Sequence, residues 1–208
     1  MLERIGKLEL RDLVTAWLAI AISFTIIFIR GSSRIEPLYA LLLFAISLVT
    51  VGIGFILHEM AHKFTAIRYG FHAEFRKDNL MLLVAVALAA LVGVVFAAPG
   101  ATIISGYNIT REQNGRISAS GPLTNLILCI PFTALLFLAG MFSGPGGQIA
   151  SLVGMVGLQV NAMIAAFNML PVSVLDGRKV LSWNPAIFGI LIVAAFGILI
   201  GSFYLLPH

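Results

Sequence analysis

Apolar residues gather in long runs separated by short polar joints. Five runs, about Leu13 to Ile29, Leu38 to Leu57, Gly121 to Phe142, Gln148 to Phe167 and Pro185 to Leu206, approach the roughly 20 residues that cross a hydrocarbon core as a helix. A sixth, Leu80 to Ala98, ends at Pro99-Gly100 and is followed by a short apolar stretch, Ala101 to Ser105. The most polar connection is Tyr107 to Ser118. This pattern predicts an all-α integral membrane protein, a polytopic bundle of about six apolar segments. A single transmembrane domain is expected over residues 1–208.

Composition agrees: 60% of residues are hydrophobic and 11% charged, against about a quarter charged in soluble domains. The first run follows a mixed-charge amphipathic stretch, Glu3 to Asp12, and lacks a small-residue cleavage site, so it is expected to be a retained span. Cys129 is the single cysteine, which excludes an intramolecular disulfide. The net charge of +4 comes from residues flanking apolar runs, where they set topology. No nucleic-acid partner is expected; the lipid bilayer is.

Charge also bears on the sixth run. With a cytoplasmic N-terminus and a full span at Leu80, the Lys and Arg residues divide seven inside and six outside. If Leu80 to about Ser105 dips in and returns to the same side, only Arg30 and Arg34 stay outside and eleven lie inside. The positive-inside rule favours the re-entrant arrangement. Pro99-Gly100 suits its turn, which is tolerated at depth where protein or a wet cavity surrounds it.

The chemistry begins at His58-Glu59-Met60-Ala61-His62, which continues the second run as one helix. Positions four apart share a face, so both imidazoles can reach one metal ion. Zinc held by two histidines and a carboxylate keeps its fourth position for water and lowers that water's pKa to about 7. Glu59, about 100° round the helix, can take the water's proton. Ionisable residues at membrane depth are costly and therefore functional candidates. With the lipid boundary between Lys63 and Arg68, His58 would lie roughly 8–15 Å below it.

A third ligand is needed. His208 is terminal, His72 sits among charged residues, and Glu3, Glu9, Asp12, Glu36, Glu74, Asp78 and Glu112 lie in polar flanks. Asp176 follows the apolar Val172 to Leu175, and Gly177 lets the backbone turn closely. Under the re-entrant topology Asp176 approaches the same membrane side as His58. Under the full span it would not.

Together, His58-Glu59-x-x-His62, Gly121-Pro122-Leu123-Thr124-Asn125, and Asn168-Met169-Leu170-Pro171 followed by Leu175-Asp176-Gly177 resemble the site-2 protease family of intramembrane metalloproteases. The resemblance covers roughly Leu38 to Leu181, the expected metal-binding core. It implies zinc as cofactor, His58, His62 and Asp176 as metal ligands, Glu59 as the catalytic residue, and a transmembrane protein as substrate. With the charge count, this predicts a multi-pass protein with its active site toward the cytoplasmic side, in the cell membrane if the source is a prokaryote. Compact members carry a mostly β-like re-entrant stretch where this chain has Leu80 to Ala98. No PDZ-like or CBS domain is seen, as in a minimal member.

Two asparagines are candidate substrate-binding residues. Asn168 either holds the substrate backbone or developing oxyanion, or caps carbonyls freed at Pro171. Asn125 either touches substrate or makes an interhelical hydrogen bond. Gly52 and Gly54 read as close-packing positions, and the irregular Ala98 to Ser105 stretch as an edge for strand pairing with a substrate. The competing functions are a membrane metal-ion transporter and a catalytically silent relative that binds membrane proteins.

Overall fold

A computed structural model describes residues 5–30, 36–94, 100–172 and 174–204. Among these residues, five helices are long and apolar enough to cross a membrane: α1 (Lys7–Arg30), α2 (Pro37–Arg68), α4 (Arg111–Ala139), α5 (Pro145–Asn168) and α7 (Pro185–Tyr204), with short α3 (Asn79–Leu91) and α6 (Asp176–Trp183) between them. The five expected spans are all present. Two are longer than hydropathy alone indicated. α2 runs on through His62 to Arg68, and α4 starts well before Gly121. The polar stretch read as a connection is therefore largely helical: Thr110 caps it, its hydroxyl accepting from the Gln113 amide while the Gln113 side chain accepts from the Thr110 amide.

The sixth apolar run is not a span. Helix α3 has 13 residues, about 20 Å at 1.5 Å per residue, short of a ~30 Å hydrocarbon core. Strand β1 (His72–Lys77) precedes it and β2 (Gly100–Ser105) follows; they pair antiparallel, with Lys77 opposite Gly100 and His72 opposite Ser105. The excursion therefore leaves the sheet and returns to the residue beside its start. Ala98 and Pro99, part of the expected turn and edge, lie outside the described residues. Gly100 to Ser105, expected to be irregular, is a regular strand. At the far end of α3 the Arg30 guanidinium donates to the carbonyls of Ala89 (3.3 Å) and Ala90. It satisfies helix-end acceptors that lipid cannot.

Among the described residues the all-α bundle thus carries one two-stranded sheet. The largest cluster of buried side chains lies between α1, α2 and α5, with Phe24, Phe55, Val51 and Val160 fully or almost fully buried; Phe75 of β1 stands edge-on against Phe55, ring centroids 5.5 Å apart. Gly52 admits the Trp17 indole of α1, whose N–H donates to the Leu48 carbonyl at 2.7 Å. Lys63 was expected near the lipid boundary and Glu9 in a polar flank. Instead both are 1% exposed. Lys63 Nζ lies 2.8 and 2.6 Å from the two Glu9 oxygens, and Glu9 also accepts from the Phe75 amide at 3.2 Å. That pair ties α1, α2 and β1 together.

Candidate metal centre

His58 and His62 lie one turn apart on α2, and the spacing puts both rings on the face toward α4. Their Nε2 atoms are 3.0 Å apart and the rings cross at 86°. Gly121 of α4 makes this possible. A Cβ there would stand 2.4 Å from His62 Nε2 and 2.7 Å from His58 Cε1, so a larger residue would displace both imidazoles.

Asp176 arrives from the opposite end of the chain. Helix α5 stops at Asn168, the chain turns past Pro171, and α6 begins at Asp176. Gly177 is pressed onto the end of α5, where a Cβ would meet the Met169 carbonyl oxygen at 2.1 Å. This close approach brings the Asp176 carboxylate in: Oδ2 is 3.0 Å from His62 Nε2 and 3.5 Å from His58 Nε2. Its Oδ1 lies 3.8 Å from Lys179 Nζ.

The donor set fits zinc. His62 Nδ1 is 2.8 Å from the Ile117 carbonyl and His58 Nδ1 is 2.6 Å from Asn125 Oδ1. Both neighbours are acceptors, so each Nδ1 carries the proton and each neutral ring turns a bare Nε2 lone pair inward. Two lone pairs and a carboxylate oxygen converge within 4.8 Å of one another, and a cation between them answers their repulsion. Tetrahedral zinc with ligand distances of about 2.0–2.1 Å sets its ligand atoms about 3.3 Å apart. The three observed separations, 3.0, 3.0 and 3.5 Å, bracket that value.

Glu59, 7% exposed, accepts from the Thr102 hydroxyl of β2 at 2.8 Å. Glu59, the three ligand side chains and β2 open on one cleft, lined also by Ala101, Ser118 and Lys179. Asn168 is on the same cleft, with its amide donating to the Ile164 carbonyl at 3.0 Å. Asn125 is elsewhere: fully buried behind His58, it makes interhelical hydrogen bonds and does not line the cleft. His72 is exposed at the start of β1, away from the cleft, and His208 and Glu3 lie outside the described residues. Sequence reasoning missed the Thr102–Glu59 contact. Its one signal is that Thr102 carries the single polar side chain between Gly100 and Ile104.

Peptidase family M50 matches residues 46–159, which hold His58, Glu59, His62 and Asn125. A proposed zinc metalloprotease of Methanocaldococcus jannaschii, MJ0611, is 38% identical over 188 residues, covering 90% of this chain and 91% of the relative. A proposed zinc metalloprotease of Mycolicibacterium smegmatis, Rip2, is 31% identical over 161 residues, 71% of this chain and 60% of the relative. The YwhC protein of Bacillus subtilis, named in the same way, is 27% identical over 158 residues, 69% of this chain and 70% of its own. No solved structure matches. The chain belongs to peptidase family M50, the site-2 protease family, and is a multi-pass membrane zinc metalloprotease.

Proposed function

We propose that this protein hydrolyses peptide bonds within or beside transmembrane segments of other membrane proteins, with His58, His62 and Asp176 as zinc ligands and Glu59 as general base. One observation carries the reading: Glu59 and the three ligand side chains open on a single cleft bordered by a β-strand. Zinc, when bound, supplies Lewis acidity that makes water a nucleophile near neutral pH. Glu59 takes the proton of the attacking water and returns it to the leaving amine. Thr102 holds the carboxylate by its 2.8 Å hydrogen bond. Asn168 uses one amide N–H on Ile164 and has a second to offer the developing oxyanion.

A helical substrate hides its peptide bonds and must unwind before cleavage. β2 has β1 as its partner on one side in the two-stranded sheet, and its Gly100 to Thr102 border the cleft. Its other edge suits an unwound segment added as a further strand. The excursion of α3, returning to the sheet, supports the eleven-to-two distribution of Lys and Arg, and that bias favours a cleft turned toward the cytoplasm.

Purified wild type and Glu59→Gln, compared for zinc content and for cleavage of a model transmembrane peptide, test this directly. Zinc should be equal in the two while cleavage vanishes in the variant; persistent cleavage would defeat the assignment of the base. Substrate trapped on Glu59→Gln should crosslink to positions flanking Thr102, and crosslinks confined to other surfaces would sink the strand-addition model.

A further inference from the structure

Behind His58, away from the cleft, two asparagines face each other across α4 and α5. Asn125 and Asn161 are both fully buried. Asn161 lies beyond the residues matched by the family. The Asn161 amide donates to the Gly157 carbonyl at 2.8 Å, and its Oδ1 accepts from Asn125 Nδ2 at 2.9 Å. Asn125 Nδ2 gives its other hydrogen to the Gly54 carbonyl of α2 at 3.0 Å. Gly54, one turn before His58, has no Cβ to obstruct this: one there would lie 2.9 Å from Asn161 Oδ1.

Peptide carbonyls only accept, so each amide can point one way. Gly157 fixes Asn161, and Asn161 with Gly54 fixes Asn125. What remains for His58 Nδ1, 2.6 Å away, is an oxygen. Reversing the Asn125 amide would set its oxygen against two others and break two hydrogen bonds. Neither bond is replaceable from lipid.

We propose that Asn125 and Asn161 are positioning residues for the metal centre, a buried amide relay that holds His58 in its Nδ1–H tautomer with Nε2 free for zinc. The relay rests on the reading of His58 as a zinc ligand, and gives it the outer partner that ligating histidines require. It spans three helices, so the tautomer of one ring depends on how α4 and α5 are seated.

The test uses the full chain in detergent, as wild type, Asn125→Leu, Asn161→Leu and His58→Ala. Zinc affinity is read by chelator competition and the His58 tautomer by nitrogen-15 resonances of the metal-free protein at a pH where the ring is neutral. Wild type should show the Nδ1–H form alone. Asn125→Leu should show both tautomers and bind zinc about 10–100-fold more weakly, with Asn161→Leu shifted the same way by less. An Nε2–H ring in wild type overturns the relay whether or not a variant folds. So does zinc affinity within twofold of wild type in folded Asn125→Leu. If wild type binds no zinc, or His58→Ala binds it equally, the metal centre itself fails and the relay with it.

Discussion

Asp176 Oδ2 meets His62 Nε2 at 3.0 Å, although α4 and α5 intervene in the chain between them. The contact requires both residues to reach the same membrane side, which the returning excursion of α3 provides. Asp176→Ala should lower zinc affinity by more than the ~10–100-fold cost of losing an outer-shell partner. Metal content by mass spectrometry, beside helicity by circular dichroism, checks that zinc and not the fold is lost.

Thr102 should matter through Glu59. Thr102→Val keeps the shape and removes the hydroxyl that donates to the carboxylate at 2.8 Å. Hydrogen bonds to charged groups are worth about 1.5–3 kcal/mol, so kcat should fall roughly 10-fold or more with zinc content unchanged. Thr102→Ser restores the donor and should recover most of the rate. Equal rates in the Val and Ser variants would remove Thr102 from the mechanism.

Gly121→Ala should empty the centre. Its Cβ would stand 2.4 Å from His62 Nε2, and the rings or α4 must move. Overpacking of this kind costs about 1–3 kcal/mol, so the protein should still fold while zinc is lost. A fully loaded Gly121→Ala protein would show that the helices yield instead.

The Glu9–Lys63 pair should behave as a buried ion pair. Removing one partner strands a charge, and Lys63→Met should cost about 3–5 kcal/mol. The double variant Glu9→Leu with Lys63→Met should recover much of that loss, short of the bond from the Phe75 amide to Glu9. Thermal unfolding in detergent of the single and double variants gives the coupling.

Orientation is testable with single cysteines in a Cys129→Ser background. Tyr107 is 97% exposed before α4 and Met141 is 78% exposed after it. Cysteine at Tyr107 should react with a membrane-impermeant reagent only from the cytoplasmic face, and at Met141 only from the other. The reverse pattern would invert the proposed topology.

Much of this was legible in the sequence because its signals are local. Helix spacing alone places His58 and His62 on one face, and run length alone marks the five spans. Asp176 was reachable through charge distribution and the adjacent glycine. What escaped depends on contacts between distant segments. β1 does alternate, with Ala73 and Phe75 buried, but its intervening charges read as a topological flank. The Glu9–Lys63 pair was hidden for a related reason: ionisable residues near a span's end ordinarily reach water. Asn161 looked like one more polar residue in an apolar helix until Gly54 and Asn125 supplied its partners. The helical start of α4 was concealed by polarity, since hydropathy finds the lipid-crossing portion of a helix and not its wet extension.

The pairing of Lys77 with Gly100 has a consequence for how the protein meets bilayers of different thickness. Because the excursion is closed at its base, the β1–β2 ladder rather than the far end of α3 sets where Thr102 stands beside Glu59. Hydrophobic mismatch, which costs fractions of a kcal/mol per ångström, would bear first on the far end, where Arg30 meets the last carbonyls of α3. The two-stranded ladder thus stands between that lipid-facing end and the residues of the cleft.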